Sequence, residues 1–139
     1  MSLTRPQPNT IPMPRPSVFS QPFWDACKRG ELTFQRCNAC EGIVFIPQPA
    51  CTHCLAGDLR WERSAGKGAI YSWTVVWRPQ TPAFKIPYAI AIIDVDEGYQ
   101  MMTNIIGVDP ATLEVGQRVE VSFHKMNDEI TMPYFRPTA

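Results

Sequence analysis

Four of the five cysteines fall in two pairs, Cys37-Asn38-Ala39-Cys40 and Cys51-Thr52-His53-Cys54. Two residues between the members of a pair let both thiolates of one tight turn face a single ion, and the second pair repeats that geometry. Four soft ligands close a tetrahedron and leave no position for water or substrate, so the site reads as structural rather than catalytic. Zinc suits four thiolates without redox liability, and iron accepts the same set. Thiol exchange would need one pair only, which favours shared coordination over redox chemistry. Between the pairs, Glu41 to Ala50 carries Ile43, Phe45 and Pro47, too little for a hydrophobic core. A bound metal contributes on the order of 10 kcal/mol to such a miniature fold. His53 is expected to face solvent rather than compete as a ligand, and His124, alone on a polar strand face, has no positioned partner for catalysis.

The elements that must hold this cluster are bounded by the chain itself. Its 139 residues accommodate one ordinary domain, or a small barrel with an appendage. Net charge is zero, from 13 basic and 13 acidic residues, so no global field draws the chain to a polyanion. The sequence has neither a long apolar run nor an apolar leader, so a cytoplasmic location is expected, where paired cysteines bind metal rather than form disulfides.

Residues 1–17 hold Pro6, Pro8, Pro12, Pro14 and Pro16 and are expected to form an extended arm. That arm could be disordered, or lie along a partner or along the chain's own barrel. Ser20 as a cap, Pro22 in the first turn and Gly30 as a stop predict a short helix from Gln21 to Arg29. Phe23, Trp24 and Cys27 share one side of it, which makes Cys27 a core residue. Leu32 and Phe34 alternate with Thr33 and Gln35 in a strand leading to Cys37. A helix-plus-ribbon unit over 18–62 follows.

After a Gly66-Lys67-Gly68 turn, Ala69 to Trp77 reads as a long strand, then Tyr88 to Val95, Tyr99 to Ile106, a strand around Val119, Val121 and Phe123, and Ile130 to Phe135. Five strands with short connections predict a mainly β fold, an OB-type barrel over 63–139, with only a reduced turn between Gly107 and Val115. Tyr71, Trp73, Val75 and Trp77 would share one face of the first strand. Core packing is the favoured reading of that stripe, with at least one aromatic reaching outside, because a narrow barrel cannot hold all three. Tyr88 to Val95 is apolar on both faces, so something outside the barrel must cover one; the Phe23-Trp24 helix and a partner subunit are the candidates.

Several of these stretches form an ordered series: Phe23-Trp24-Asp25-Ala26, Gly30-Glu31-Leu32, Gln35-Arg36-Cys37-Asn38-Ala39-Cys40, Pro47, Cys51-Thr52-His53-Cys54, Gly66 to Val75, Pro87-Tyr88, Asp96-Glu97-Gly98 and Phe135-Arg136-Pro137. The series resembles the acyl-CoA-associated family of OB-fold proteins with an N-terminal rubredoxin-like zinc ribbon, a domain-of-unknown-function family. One departure is Glu41, where the family commonly has Gly directly after the second cysteine. The resemblance implies structural zinc on Cys37, Cys40, Cys51 and Cys54, and a non-catalytic accessory subunit. Its partner would be a thiolase-like enzyme, a related aldolase or a hydratase acting on acyl-CoA.

Contacts with that partner or with acyl-CoA are expected at Phe23, Trp24, Trp73, Trp77, Arg78, Phe84 and Lys85. A CoA site needs a few cations and an apolar track, which the loop from Arg78 to Pro87 offers, and its three prolines lower the cost of ordering it. An ordinary exposed connection is the alternative. The rival function is a single-stranded nucleic-acid-binding module, because strand aromatics can stack bases. Asp94, Asp96, Glu97, Asp109, Glu114, Glu120, Asp128 and Glu129 oppose it, since a backbone-tracking groove needs a basic stripe.

Overall fold

The computed structural model describes residues 3–138, so residues 1, 2 and 139, the outer ends of the expected arm and barrel, lie outside the described residues. Helix α1 runs Gln21–Lys28 with Phe23, Ala26 and Cys27 buried. Ser20 precedes it but does not cap it: its backbone is helical rather than extended, and its hydroxyl accepts from the Ser17 N–H at 2.7 Å. Gly30, at φ 77°, ends the helix as expected.

A sheet follows in which β1 (Thr33–Cys37) lies between β2 (Ile43–Val44) and β3 (Leu59–Arg63), both antiparallel to it. Central position overrides the alternation read from the sequence. Thr33 and Gln35 are buried along with Leu32 and Phe34. The Gln35 amide donates to the Gln48 carbonyl at 3.1 Å and accepts from the Gln48 N–H at 2.9 Å, replacing the water it lost.

The barrel strands are β4 (Lys67–Val76), β5 (Tyr88–Val95), β6 (Tyr99–Ile105), β7 (Arg118–Lys125) and β8 (Thr131–Pro137). They close in the order β4-β5-β6-β8-β7, with β6 and β8 parallel and the other pairs antiparallel. A short 3₁₀ turn, Pro110–Thr112, is all that stands between β6 and β7. Gly68 is strand, not turn. A Cβ there would lie 2.4 Å from the Asp94 carbonyl oxygen, so the residue that pairs with both β5 and β7 must be glycine.

A bulge between Ile70 and Ser72 breaks the two-residue period of β4. Ile70, Trp73 and Val75 lie opposite Ile93, Ala91 and Ala89, alternate residues of an unbroken β5. These three therefore share a face, and Tyr71 leaves the stripe. Core packing of the stripe does not occur: Tyr71, Trp73 and Trp77 are 54%, 38% and 65% exposed. The reason is that β7 accompanies β4 only over Lys67–Ala69. Ile70 still bonds the segment before β7, donating to the Gln117 carbonyl at 3.0 Å and accepting from the Gly116 N–H at 2.7 Å. Beyond it β4 is flanked by β5 alone, and its far half projects past the barrel wall with one edge unpaired among the described residues.

The arm lies along its own barrel. Thr4 exchanges backbone hydrogen bonds with Gly107 and Val108, each 2.8 Å. The Gln7 N–H donates to the Tyr134 hydroxyl, and the Gln7 amide makes two bonds to the Lys85 backbone at 3.0 and 2.8 Å. Helix and ribbon share the barrel's core. Phe45 stacks on Tyr99 with centroids 4.9 Å apart, Phe34 approaches the same ring at 5.1 Å, and Phe23 meets Phe45 edge-on at 5.8 Å. Helix α1 packs on β1 and β8, so Ile90 and Ile92 on the second face of β5 stay half-buried rather than covered by it. No helix among the described residues is long and apolar enough to cross a membrane.

Candidate metal centre and adjoining surfaces

The four cysteines that the sequence pairs are brought together, with all four Sγ atoms within 4.8 Å of one another. Cys37 and Cys54 lie 3.6 Å apart and Cys40 and Cys51 3.7 Å. A tetrahedron with metal–sulfur bonds of about 2.3 Å has edges of about 3.8 Å, so the donor set fits a tetrahedral thiolate-binding ion. Both turns are built alike. Glu41 N–H donates to the Cys37 carbonyl and Leu55 N–H to the Cys51 carbonyl, while Cys37 and Cys51 N–H groups donate to Gly42 and Ala56. Glu41 and Leu55 each take the left-handed conformation, φ 63° and 68°.

Ala39 N–H donates to the Cys37 sulfur at 3.3 Å and His53 N–H to the Cys51 sulfur at 3.2 Å. Burial raises the Cys51 thiol, but the N–H groups of Cys54 and His53 and the adjacent thiols outweigh it and bring it down to about 6. At Cys40 the Gly42 N–H lowers the pKa, whereas burial and the other three cysteines push it up to about 12. Protons thus leave the cluster unequally, as four crowded thiols require.

His53 is exposed, as expected, and its ring also has a backbone partner. Its Nε2 donates to the Ile43 carbonyl at 2.9 Å, a tautomer that the carbonyl acceptor dictates. A Cβ on Gly42 would come within 2.6 Å of the His53 ring, so this glycine admits the imidazole. On the ribbon's outer side, Arg36 holds both oxygens of Glu62 at 3.0 and 3.1 Å, and Arg60 bridges Glu62 and Glu41 at 3.0 and 2.9 Å. Hydrogen bonding from Arg36, then Arg60, keeps the Glu62 carboxyl below its ordinary range despite partial desolvation.

The remaining expected contact residues separate into two groups. Phe23, Trp24 and Phe84 line a cavity of about 500 Å³, whereas Trp73, Trp77 and Arg78 lie on the outer surface. Lys85 is exposed, its backbone fixed by Gln7. The cavity is walled by Gln7 and Ile11 of the arm, Phe45, Ile46 and Pro47 of the ribbon, Ile90 of β5, Met101 to Asn104 of β6, and Met132 to Tyr134 of β8. Phe84 stacks on Tyr88 at its margin, centroids 5.9 Å apart. Sequence reasoning did not find this chamber because its walls come from seven segments, the arm, helix, ribbon, the loop that holds Phe84, and strands β5, β6 and β8, far apart in the chain.

Three of the barrel's cations are engaged by acids. Arg118 binds Asp96 through two bonds of 2.8 and 2.6 Å, Arg136 meets Glu120 at 3.4 Å, and Lys125 meets Asp128 at 3.4 Å. This arrangement works against a phosphate-tracking groove. His124 sits beside Tyr134, ring centroids 6.2 Å apart.

Residues 24–60 match the ChsH2 rubredoxin-like zinc ribbon domain, and residues 61–124 match the ChsH2 C-terminal OB-fold domain. A probable enoyl-CoA hydratase alpha subunit of Thermomonospora curvata is 37% identical over 126 residues, 89% of this chain and 40% of that protein. A DUF35 domain-containing scaffold protein of Methanothermobacter thermautotrophicus is 34% identical over 105 residues, 73% of this chain and 78% of that one. Among solved structures, a chain of an Ltp2-ChsH2(DUF35) aldolase superposes with a TM-score of 0.83 at 34% identity, covering 90% of this chain and 98% of that chain. The chain spans about 40% of the length of the hydratase subunit. With both its ribbon and its barrel matched and a scaffold protein of that family 34% identical over 73% of it, the chain belongs to the DUF35 family of zinc-ribbon and OB-fold proteins.

Proposed function

We propose that this chain is a non-catalytic scaffold unit of an acyl-CoA enzyme complex. It carries one structural zinc ion on Cys37, Cys40, Cys51 and Cys54 and docks on a thiolase-like, aldolase or hydratase partner. The observation that carries this reading is the far half of β4 and the residue just past its end, where Tyr71, Trp73 and Trp77 stand exposed beside an unpaired strand edge. Trp and Tyr are the residues that anchor protein interfaces, and an open strand edge supplies backbone donors and acceptors to a partner. A monomer that kept this surface in water would carry an aggregation liability. Relatives named as a hydratase alpha subunit, a scaffold protein and an aldolase complex support the class of partner. The closed thiolate set supports a metal that shapes the ribbon rather than one that activates substrate.

Co-expression with thiolase-like, aldolase and hydratase proteins encoded beside this gene, followed by affinity capture, tests the docking. We expect one of them to copurify and Trp77→Ser to weaken the complex about thirtyfold or more, with an unchanged thermal midpoint. Failure to copurify with, or alter the rate of, any acyl-CoA enzyme sinks the proposal. Elemental analysis of freshly reduced protein is expected to return one zinc per chain; iron in its place would correct the metal without altering the ligands.

A further inference from the structure

The cavity between arm, helix, ribbon and barrel has a chemistry of its own. Among the described residues no charged side chain lines it, and its walls are aromatic, aliphatic and thioether groups, with Gln7, Ser20, Thr103 and Asn104 as the polar members. Three of those are already engaged: Gln7 with the Lys85 backbone, Ser20, whose hydroxyl accepts from the Ser17 N–H at 2.7 Å, and Thr103, whose hydroxyl donates to the Pro133 carbonyl at 3.0 Å. A volume of about 500 Å³ lies within the range of small-molecule sites, about 300 to 1,000 Å³. Met101, Met102 and Met132 give it walls that adapt to the shape of an apolar guest. A phosphate, a nucleotide or a carboxylate placed inside would be desolvated without a counter-charge, which the lining forbids. One cation stands at its rim: exposed Lys85 follows the lining residue Phe84, and its backbone is pinned by Gln7, also of the lining.

We infer that this cavity binds the hydrocarbon part of an acyl thioester, with the anionic remainder of the ligand outside, toward Lys85. The inference rests on the proposed association with acyl-CoA enzymes and adds the part of the ligand that this chain would hold. The proline-rich arm forms the roof through Gln7 and Ile11, so a site of this kind exists only while the arm is docked. Uncharged walls set the selectivity: longer hydrocarbon binds tighter until the chamber is full, and free CoA gains nothing from it.

The test is calorimetric titration of the full zinc-loaded chain with butanoyl-, hexanoyl-, octanoyl- and decanoyl-CoA, with free CoA and decanoate as separate arms. Affinity is expected to rise about fourfold per methylene and then level off, with free CoA silent. Decanoate binding as tightly as decanoyl-CoA would identify a fatty-acid site and overturn the thioester assignment. In Asn104→Phe the ring fills the cavity from β6, and decanoyl-CoA affinity is expected to fall at least tenfold while the thermal midpoint holds. Chain-length-independent affinity, no saturable binding, or wild-type binding by Asn104→Phe each overturns the inference. Loss of partner copurification in Asn104→Phe, without thioester binding by the wild-type chain, would make the cavity a socket for a partner side chain, and the inference fails while the scaffold reading stands. Thioester binding that follows chain length, with no enzyme copurifying, is the opposite result: the scaffold reading fails and the site remains.

Discussion

Glu41 and Leu55 occupy equivalent places, one after each cysteine pair, and both are left-handed, at φ 63° and 68°. The absence of glycine after Cys40, which the sequence raised as a departure, therefore leaves the turn intact, because Glu41 adopts the backbone that glycine would. Each side chain in that region costs about 1 to 2 kcal/mol. Glu41 has a local return in its 2.9 Å ion pair with Arg60, but Leu55 is 81% exposed and has none of that kind. Leu55→Gly is thus expected to raise stability by about 1 kcal/mol in urea unfolding, after subtracting glycine's greater freedom in the unfolded chain. A loss of stability would mean that the leucine packs in a way its exposure does not suggest. Asp96 gives a pH dependence with a definite sign. Hydrogen bonds from Arg118 lower its pKa against a desolvation that raises it. Its stabilising effect is then complete above the unfolded carboxyl value of about 3.9 and is lost as pH falls through the lower folded value. Arg118→Leu should flatten the acid limb of the stability–pH curve below about pH 4, and an unchanged limb would show that the exposed pair is fully screened.

At the scale of elements, the arm is the clearest case of structure that composition concealed. Its prolines announce an extended chain, yet what docks it are Thr4, Gln7 and Thr10, three residues apart and so on one side of a three-per-turn extended helix. That spacing was readable; which surface it faced was not, because Val108, Lys85 and Ala83 lie more than seventy residues away. Gln7→Ala should therefore release the loop from Arg78 to Pro87 and accelerate its cleavage by a nonspecific protease, while the barrel core stays protected. Equal cleavage rates would show that its own prolines suffice to hold the loop. The barrel strands were legible from period and turn residues, whereas the exposure of the β4 aromatics was not. A bulge at Ile70/Ser72 and the early departure of β7 are decided by pairing partners, which a strand's own residues do not encode. Strand β3 could have been read, since Leu59, Trp61 and Arg63 alternate with Arg60 and Glu62, but the short β2 carries too few residues to give a period.

For the molecule as a whole, the cysteine cluster was legible because four ligands at fixed spacing are local, but the dependence of the rest on it was not. Ribbon and barrel meet through rings contributed by both: Phe34 and Phe45 lie against Tyr99, and Phe45 against Phe23 of the helix. A ribbon that loses its ion loses on the order of 10 kcal/mol of organisation and cannot keep those rings placed. Cys27 reports the consequence, since it lies in the same core at 0% exposure and burial pushes its thiol up to about 12, out of reach of alkylating reagents. Chelation at neutral pH should therefore free four fast-reacting thiols and, in addition, raise the labelling rate of Cys27 at least tenfold, though not to the rate of the urea-unfolded chain. Acidification should release the ion by the same route, because thiolates must be protonated to let it go. Mass-resolved labelling distinguishes the outcomes. If Cys27 remains as slow in the metal-free chain as in the loaded one, the aromatic junction stands without the ion, and ribbon and barrel melt as separate units. If it accelerates, the metal holds the wall of the apolar cavity as well as the ribbon, and a single remote ion controls whether Phe23, Trp24 and Phe45 are in place to meet a ligand.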